Sequence, residues 1–498
     1  MDSSPATHTH SPPLSREARA LLALLLLGQF LVVLDVSVVN VALPAMQDDL
    51  GLSSAGLQWV VNGYTIAYAG FLLLGGRLAD VIGQRPAFVG GLGLFVAGSL
   101  IGGLAASSGV LLTGRIVQGL GAAVLSPATL TILLASFPEG PRRATAMGWW
   151  MAIGAAGGAT GALVGGALTE WLSWRWVLLV NVPVGVATLV AALRILPDQA
   201  ALNDRRPRLD VPGAALVTVG LGALVFGITQ IEQHGWTSAQ TLVPVAVAAV
   251  LLVAFVQTQR TAAEPLMPLS LLRLPGLAAA NAVMLVSGGA LFAIWFFLTL
   301  YMQQVLGYTP LQAGAAFLPH TLAIIGGTQV TTRWLGGRDP RVVIGASLAL
   351  SAAGFVLLAL ADEGSGYLGG VAVPGVLVMF GAGVAFPPVI GAATAGVPAE
   401  LHGLASGVLN TARMMGGALG LAVLATLASS RTAHVAGAGP ADAHALVEGF
   451  QVAYLVGAAT TLLAAALAWL LPSPQRIAQV HAQAQGATRV PATATGSS

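Results

Sequence analysis

Cysteine is absent from this chain of 498 residues. A disulfide framework, a thiol nucleophile and a cysteine-held metal are therefore excluded. Lysine is absent too, because all 21 basic residues are arginine. The GxxxxGK[ST] phosphate loop of an ATP-driven pump cannot form without it. Charge of either sign is scarce, at 8% of residues, where soluble domains carry about 25%. No basic stripe stands outside the short loops, so a nucleic-acid partner is not expected.

Hydrophobic residues make up 56% of the chain. Water cannot solvate such a surface, but lipid can. In a bilayer the backbone must satisfy its own hydrogen bonds, which leaves helices or closed barrels. Barrel strands alternate apolar and polar residues. Runs such as LLALLLLGQFLVVL from Leu21 and VTVGLGALVFGI from Val217 show no alternation. The fold class is therefore an all-α polytopic membrane protein. Fourteen apolar segments between residues 20 and 471 are long enough to span, at about 20 residues each. Arg16 and Arg19 precede the first of them in the manner of a signal peptide. That run continues to Leu43 without a small-residue cleavage site and reads as a span.

Arginine placement orients the spans. With the N-terminus cytoplasmic, 17 of the 21 arginines fall on the cytoplasmic side. The exceptions are Arg175 and Arg431 outside, with Arg115 and Arg413 within spans. Both termini are then cytoplasmic in a cell membrane.

The chain also repeats itself. LGLSSAGLQ from Leu50 is echoed by LGYTPLQAG from Leu306, and GLGAAVLSP from Gly119 by GAGVAFPP from Gly381. The spacing Gly148, Gly157, Gly161 returns as Gly407, Gly416, Gly420. Spans 1–6 thus correspond to spans 9–14, with spans 7 and 8 inserted. The expected organisation is a disordered tail at 1–15, a six-helix bundle at 16–200, a linker with two inserted helices at 201–265, a second six-helix bundle at 266–472 and a disordered tail at 473–498. Paired bundles are the plan of a rocking transporter with its site between them.

Five segments in order resemble the major facilitator superfamily, and within it the fourteen-helix drug–proton antiporters of the EmrB/QacA type. They are LDVSVVNVALP (34–44), GRLADVIGQR (76–85), Leu111 with Arg115, Gln118, Gly119 and Gly121, the glycine-rich stretch from Gly148 to Gly166, and WRWVLLVNVPVG (174–185). The chain departs from the family pattern at Val81 and Gln84, where basic residues are usual, and at Gly161-Ala162, where Gly-Pro is usual. The missing proline weakens the expectation of a kink in the fifth helix and leaves the glycine spacing intact.

Asp35 and Arg115 are expected about 9–12 Å below the outer boundary of their spans, from a rise of about 1.5 Å per residue. A charge at that depth is costly and is usually paired or turned to water. The two can pair if their helices are neighbours. Such a pair either fixes helix packing or, as the resemblance implies, binds and releases a proton. The resemblance also implies a cytoplasmic gate at Gly76, Asp80, Gly83 and Arg85. It implies an antiporter surface facing the other bundle at Gly148, Gly157, Gly161, Gly165 and Gly166. Small residues four apart also allow ordinary close packing. Pocket candidates are Asn40, Gln118, Trp149, Trp150, Phe296, His320, Asn410 and Arg413. Of these, His320 reads better as a hydrogen-bonded packing residue than as a proton carrier.

No cluster of histidine and carboxylate lies within a span, so no enzyme, metal or cofactor is expected. The function implied is proton-coupled export of small amphiphilic molecules by a monomer. Import or export of one specific metabolite on the same fold is the alternative.

Overall fold

The computed structural model describes residues 15–137, 140–196, 209–395, 397, 401–437, 439 and 441–473. The tails expected at 1–15 and 473–498 fall almost wholly outside the described residues. So do 197–200 at the end of the first bundle and 201–208 of the linker, and with them Arg205, Arg206 and Arg208, as well as Arg476 and Arg489 of the tail.

Thirteen helices among the described residues are long and apolar enough to cross a membrane. They are α1 (Arg16–Leu50), α2 (Ser54–Ile82), α3 (Gln84–Gly103), α4 (Ser108–Ser136), α5 (Pro141–Trp171), α6 (Arg175–Ile195), α7 (Val211–Thr229) and α8 (Ala239–Thr261), then α9 (Pro275–Val305), α11 (Pro340–Ala359), α12 (Leu368–Thr394), α13 (His402–Ala436) and α14 (Ala443–Leu470). The tenth segment, α10, is helical but broken at Phe317, with Pro310–Ala316 before the break and Leu318–Val330 running on into Thr331–Leu335 after it. Pro319 is the reason. It lacks the N–H that would bond back across Phe317, and its ring crowds the preceding turn. By contrast α5, which lacks the usual proline at Ala162, runs unbroken.

Helix ends follow local chemistry. Ser15, Ser53, Asp210, Ser238, Thr309 and Asp442 each accept a hydrogen bond from a backbone N–H of the first turn. The LG repeat turns out to be turn chemistry. Gly51 (φ 61°) and Gly307 (φ 67°) take the left-handed conformation, and Ser53 and Thr309 then cap α2 and α10. At Thr309 the Gln312 side chain closes a capping box.

We call the face holding the start of α1 and the end of α14 the terminal face, and the opposite one the distal face. In the N-terminal half α1 packs on α5, α2 on α4, and α3 on both α4 and α6. The C-terminal half repeats each pair, with α9 on α13, α10 on α12, and α11 on both α12 and α14. Across the halves α5 meets α10 and α2 meets α13. The inserted α7 bridges α2 and α13, where Val217, Leu221 and Val225 join Ile66, Ala418 and Ala422. The other inserted helix, α8, packs on α7 and leaves Val243, Val250 and Val253 exposed.

The halves are tied at the distal face. Gln303 Nε2 donates to the Val41 carbonyl (2.8 Å), Gln304 Nε2 to Gln47 Oε1 (3.2 Å) and the Leu311 N–H to Glu170 (3.0 Å). Towards the terminal face one side of α5 is open, while Ala146, Met147 and Trp150 on the other pack within their own half. A Cβ added at Gly148, Gly154 or Gly158 would meet nothing within 4 Å.

Candidate functional site

Asp35 sits wholly buried on α1, and Arg115 on α4 is 2% exposed. Their helices are neighbours, so the pair expected from depth is formed, with Arg115 Nη1 to Asp35 Oδ2 at 2.6 Å. The carboxylate's other oxygen, Oδ1, accepts from Gln118 Nε2 (2.9 Å) and from Asn181 Nδ2 (3.1 Å) of α6. Gln118 Nε2 also donates to Ser99 Oγ of α3 (2.7 Å), and its Oε1 accepts from Arg115 (2.9 Å). Arg115 Nε donates to the Val60 carbonyl of α2 (3.0 Å), and its guanidinium lies 4.5 Å from the centre of the Tyr64 ring. A single carboxylate thereby ties together five of the six N-terminal helices. Buried charges persist only when paired and hydrogen-bonded on their remaining positions, and here both oxygens are used.

Glycines make this enclosure possible. A Cβ at Gly91, Gly98 or Gly114 would run into the facing backbone across the α3–α4 contact, and one at Gly119 into the Tyr64 carbonyl of α2. The helix 4 motif therefore lets α2 and α3 close over Arg115. Sequence reasoning named Gln118 but passed over Ser99, Tyr64 and Asn181. Asn181 had a readable signal, as a lone amide in the apolar WRWVLLVNVPVG.

The glycine ladder differs from what the resemblance implies. Gly157, Gly161 and Gly165 lie against Val33, Ser37 and Val38 of α1, in their own half. Of the five motif glycines only Gly166 reaches the other half, against Pro310 and Leu311 of α10. Residues four apart share one helix face, so the run 157, 161, 165 serves one partner. Ser37 Oγ seals that contact by donating to the Gly158 carbonyl (2.8 Å). The repeat behaves alike, since Gly416 and Gly420 lie against Leu285 and Gly289 of α9.

In the α2–α3 connection Gly83 takes φ 96°, a conformation that favours glycine. Arg85 donates to the Leu193 carbonyl of α6 (2.9 Å), within its own half. Arg77 donates to the Glu264 carbonyl beyond α8 (3.0 Å). Gly76 makes ordinary contact with Pro127, and the side chain of Asp80 lies outside the described residues.

The pocket candidates do not converge. Asn40 donates to the Val36 carbonyl of its own helix. Trp149 is 58% exposed, while the buried Trp150 Nε1 has no partner. Phe296 is buried on the distal side. His320 is fully buried between α10 and α12, its ring nitrogens 3.2 Å from the Ala316 and Val371 carbonyls, as a packing histidine would be. Arg413 Nη2 donates to Asn410 Oδ1 (2.9 Å) on the same helix face, and no carboxylate among the described residues pairs with it. Trp174 is buried and donates to Asp49 (3.0 Å), so it clamps the start of α6 to α1, whereas Trp171 and Trp236 are exposed. No group of three or more His, Asp and Glu able to hold a metal occurs among the described residues.

The family model described as Major Facilitator Superfamily matches residues 25–421. The chain belongs to that superfamily. The facilitator chain is 48% identical to the cephamycin export protein CmcT of Amycolatopsis lactamdurans, over 83% of its own length and 86% of the relative's. It is 38% identical to the puromycin resistance protein pur8 of Streptomyces alboniger, over 90% of each. To the multidrug resistance protein Stp of Mycobacterium tuberculosis (strain ATCC 25618 / H37Rv) it is 37% identical, over 80% of its length and 74% of the relative's. Among solved structures the same fold is seen in a bacterial homologue of the human lysosomal transporter Spinster (TM-score 0.65, 16% identity, 92% and 97% covered). A peptide transporter complexed with sulfate shares it too (TM-score 0.65, 17% identity, 92% and 95% covered).

Proposed function

We propose that this facilitator exports small amphiphilic molecules, antibiotics among them, by alternating access against a counterflow of protons. Relatives named for cephamycin export, puromycin resistance and multidrug resistance support the cargo class. The observation that carries the coupling is Asp35, a fully enclosed carboxylate on a cation that is itself fixed to α2 and α4. A proton delivered to Asp35 cancels its charge and removes the reason for Arg115, Gln118 and Asn181 to gather round it. Helices α1, α4 and α6 are then free to shift against one another. Loss of the proton draws them back.

With the terminal face cytoplasmic, as arginine placement implies, the exposed run of α5 opens a path from the cytoplasm while the distal bonds keep the far side shut. The protein acts as a monomer in the cell membrane and needs neither metal nor cofactor. Reconstituted vesicles with an imposed proton gradient test the reading, with puromycin and a cephamycin as cargo. Cargo movement opposite to protons is the expected result. Movement with the protons, or transport indifferent to the gradient, would favour the importer or facilitator alternative.

A further inference from the structure

A cavity opens at the distal face, and Asp35 is not among its lining residues. Its volume is about 690 Å³, with Gln47, Ser54, Gln304 and Gly437 near the rim and Gln58, Phe296 and Phe450 further in. Drug-sized ligands occupy pockets of roughly 300–1,000 Å³. None of the described residues lining it is charged. One wall includes the Gln47–Gln304 bond that ties the two halves. Deeper in, Phe296 and Phe297 meet edge-on at 5.4 Å, and Phe297 packs on Phe450 at 5.8 Å, giving a rigid aromatic floor.

Gln58 is the unusual lining residue. It is 1% exposed, and neither its Nε2 nor its Oε1 has a hydrogen-bond partner. One turn along α2, Asn62 is fully buried with both amide atoms likewise unpartnered. Buried amides are nearly always hydrogen-bonded, and each exception calls for an explanation. An amide offers both a donor and an acceptor, and so complements a ligand group that presents both.

We infer that this distal cavity is a binding site for uncharged amphiphiles that place an amide or hydroxyl group against Gln58 and an aromatic or aliphatic body on Phe296 and Phe450. The inference deepens the export reading, because such a site would hold the uncharged members of the cargo class on the exit side while the Gln47–Gln304 tie is made. Charged groups would find no counter-ion there and would lose hydration without return.

Photolabelling of the purified full chain in lipid nanodiscs tests this without any gradient. The neutral probe is 4-acetamidobenzophenone, and the charged control is 4-benzoylbenzoate. The neutral probe should label residues 296–300 or 425–433 saturably, and the benzoate should not. Gln58→Leu, which keeps the volume and lowers the polarity of a buried site, should cut that labelling about three- to ten-fold, the worth of one or two neutral hydrogen bonds. Equal labelling by the benzoate, labelling unchanged in Gln58→Leu, or labelling confined to the outward valines of α8 would overturn the site. Because labelling needs no transport, proton coupling could fail in vesicles and leave this result intact, and the converse also holds.

Discussion

The two halves share a packing plan and differ in where they keep charge. Helices α1 and α5 meet through Gly157, Gly161 and Gly165, and α9 meets α13 through Gly416 and Gly420 in the same manner. Yet the N-terminal half encloses a complete ion pair at Asp35 and Arg115, with both carboxylate oxygens taken up by the protein. The C-terminal half carries Arg413, half-buried on α13, bonded to the neutral Asn410 and with no carboxylate partner among the described residues. Duplication conserved the shape of the contacts and left chemistry free to diverge. One half encloses its acid against a cation, the place where the proposed export mechanism takes up a proton, and the other bears a cation with no carboxylate partner among the described residues.

The largest test of this difference is Asp35→Asn. Asparagine keeps the size and removes the titratable group. Gradient-driven export should fall to the level of empty vesicles while the protein remains inserted. Adding Arg115→Gln should not restore it. Rescue by the double mutant, measured as gradient-driven transport at matched protein levels, would reassign the pair to packing alone.

Stability separates the two arginines next. Arg115→Gln strands Asp35 without its cation and should destabilise the protein by about 3–5 kcal/mol. Arg413→Gln removes a charge that has no acidic partner among the described residues, and should leave thermal stability unchanged or raised. Denaturation in a fixed detergent compares them, and equal losses from both substitutions would erase the contrast between the halves.

The shared packing plan predicts matched responses to bulk. A Cβ at Gly161 would stand 2.6 Å from Ser37 Cβ, and one at Gly420 would collide with Gly289 of α9. Gly161→Leu and Gly420→Leu should each cost at least about 1–3 kcal/mol through overpacking. Gly154→Leu, in open space on the same α5, should cost less than about 0.5 kcal/mol. A Gly161→Leu protein as stable as its parent would mean that the α1–α5 seam is looser than its geometry.

Cargo charge gives the smallest effect. Asp35 is already occupied by Arg115, and Arg413, which lies mid-span with no carboxylate partner among the described residues, is positive. Divalent organic cations should therefore be exported several-fold more slowly than matched monovalent ones, because a second positive charge finds no partner. Equal rates for a matched pair in the same vesicles would show that another group supplies the counter-charge.

Much of this was readable from residue order. The lack of charge demanded lipid, unbroken apolar runs demanded helices, and the repeats separated α7 and α8 from the paired sets before any packing was known. Asp35 and Arg115 were legible because a charge in an apolar span is conspicuous and helix rise fixes its depth. The interruption of α10 was less legible. Pro319 stands in the sequence, but proline can bend a spanning helix or break it, and its neighbours decide which. What only tertiary structure decided is who faces whom. Period and spacing placed Gly157, Gly161 and Gly165 on one helix face but could not say that α1, and not the other half, lies against it. Nor could they bring Ser99 of α3 and Asn181 of α6 to one carboxylate, or leave Gln58 unpartnered beside a charge-free cavity. Local sequence sets the direction of a side chain about its own helix axis. The partner it meets depends on how separate helices assemble, and that is settled by the close approach the glycines permit and by the cost of leaving any buried charge alone.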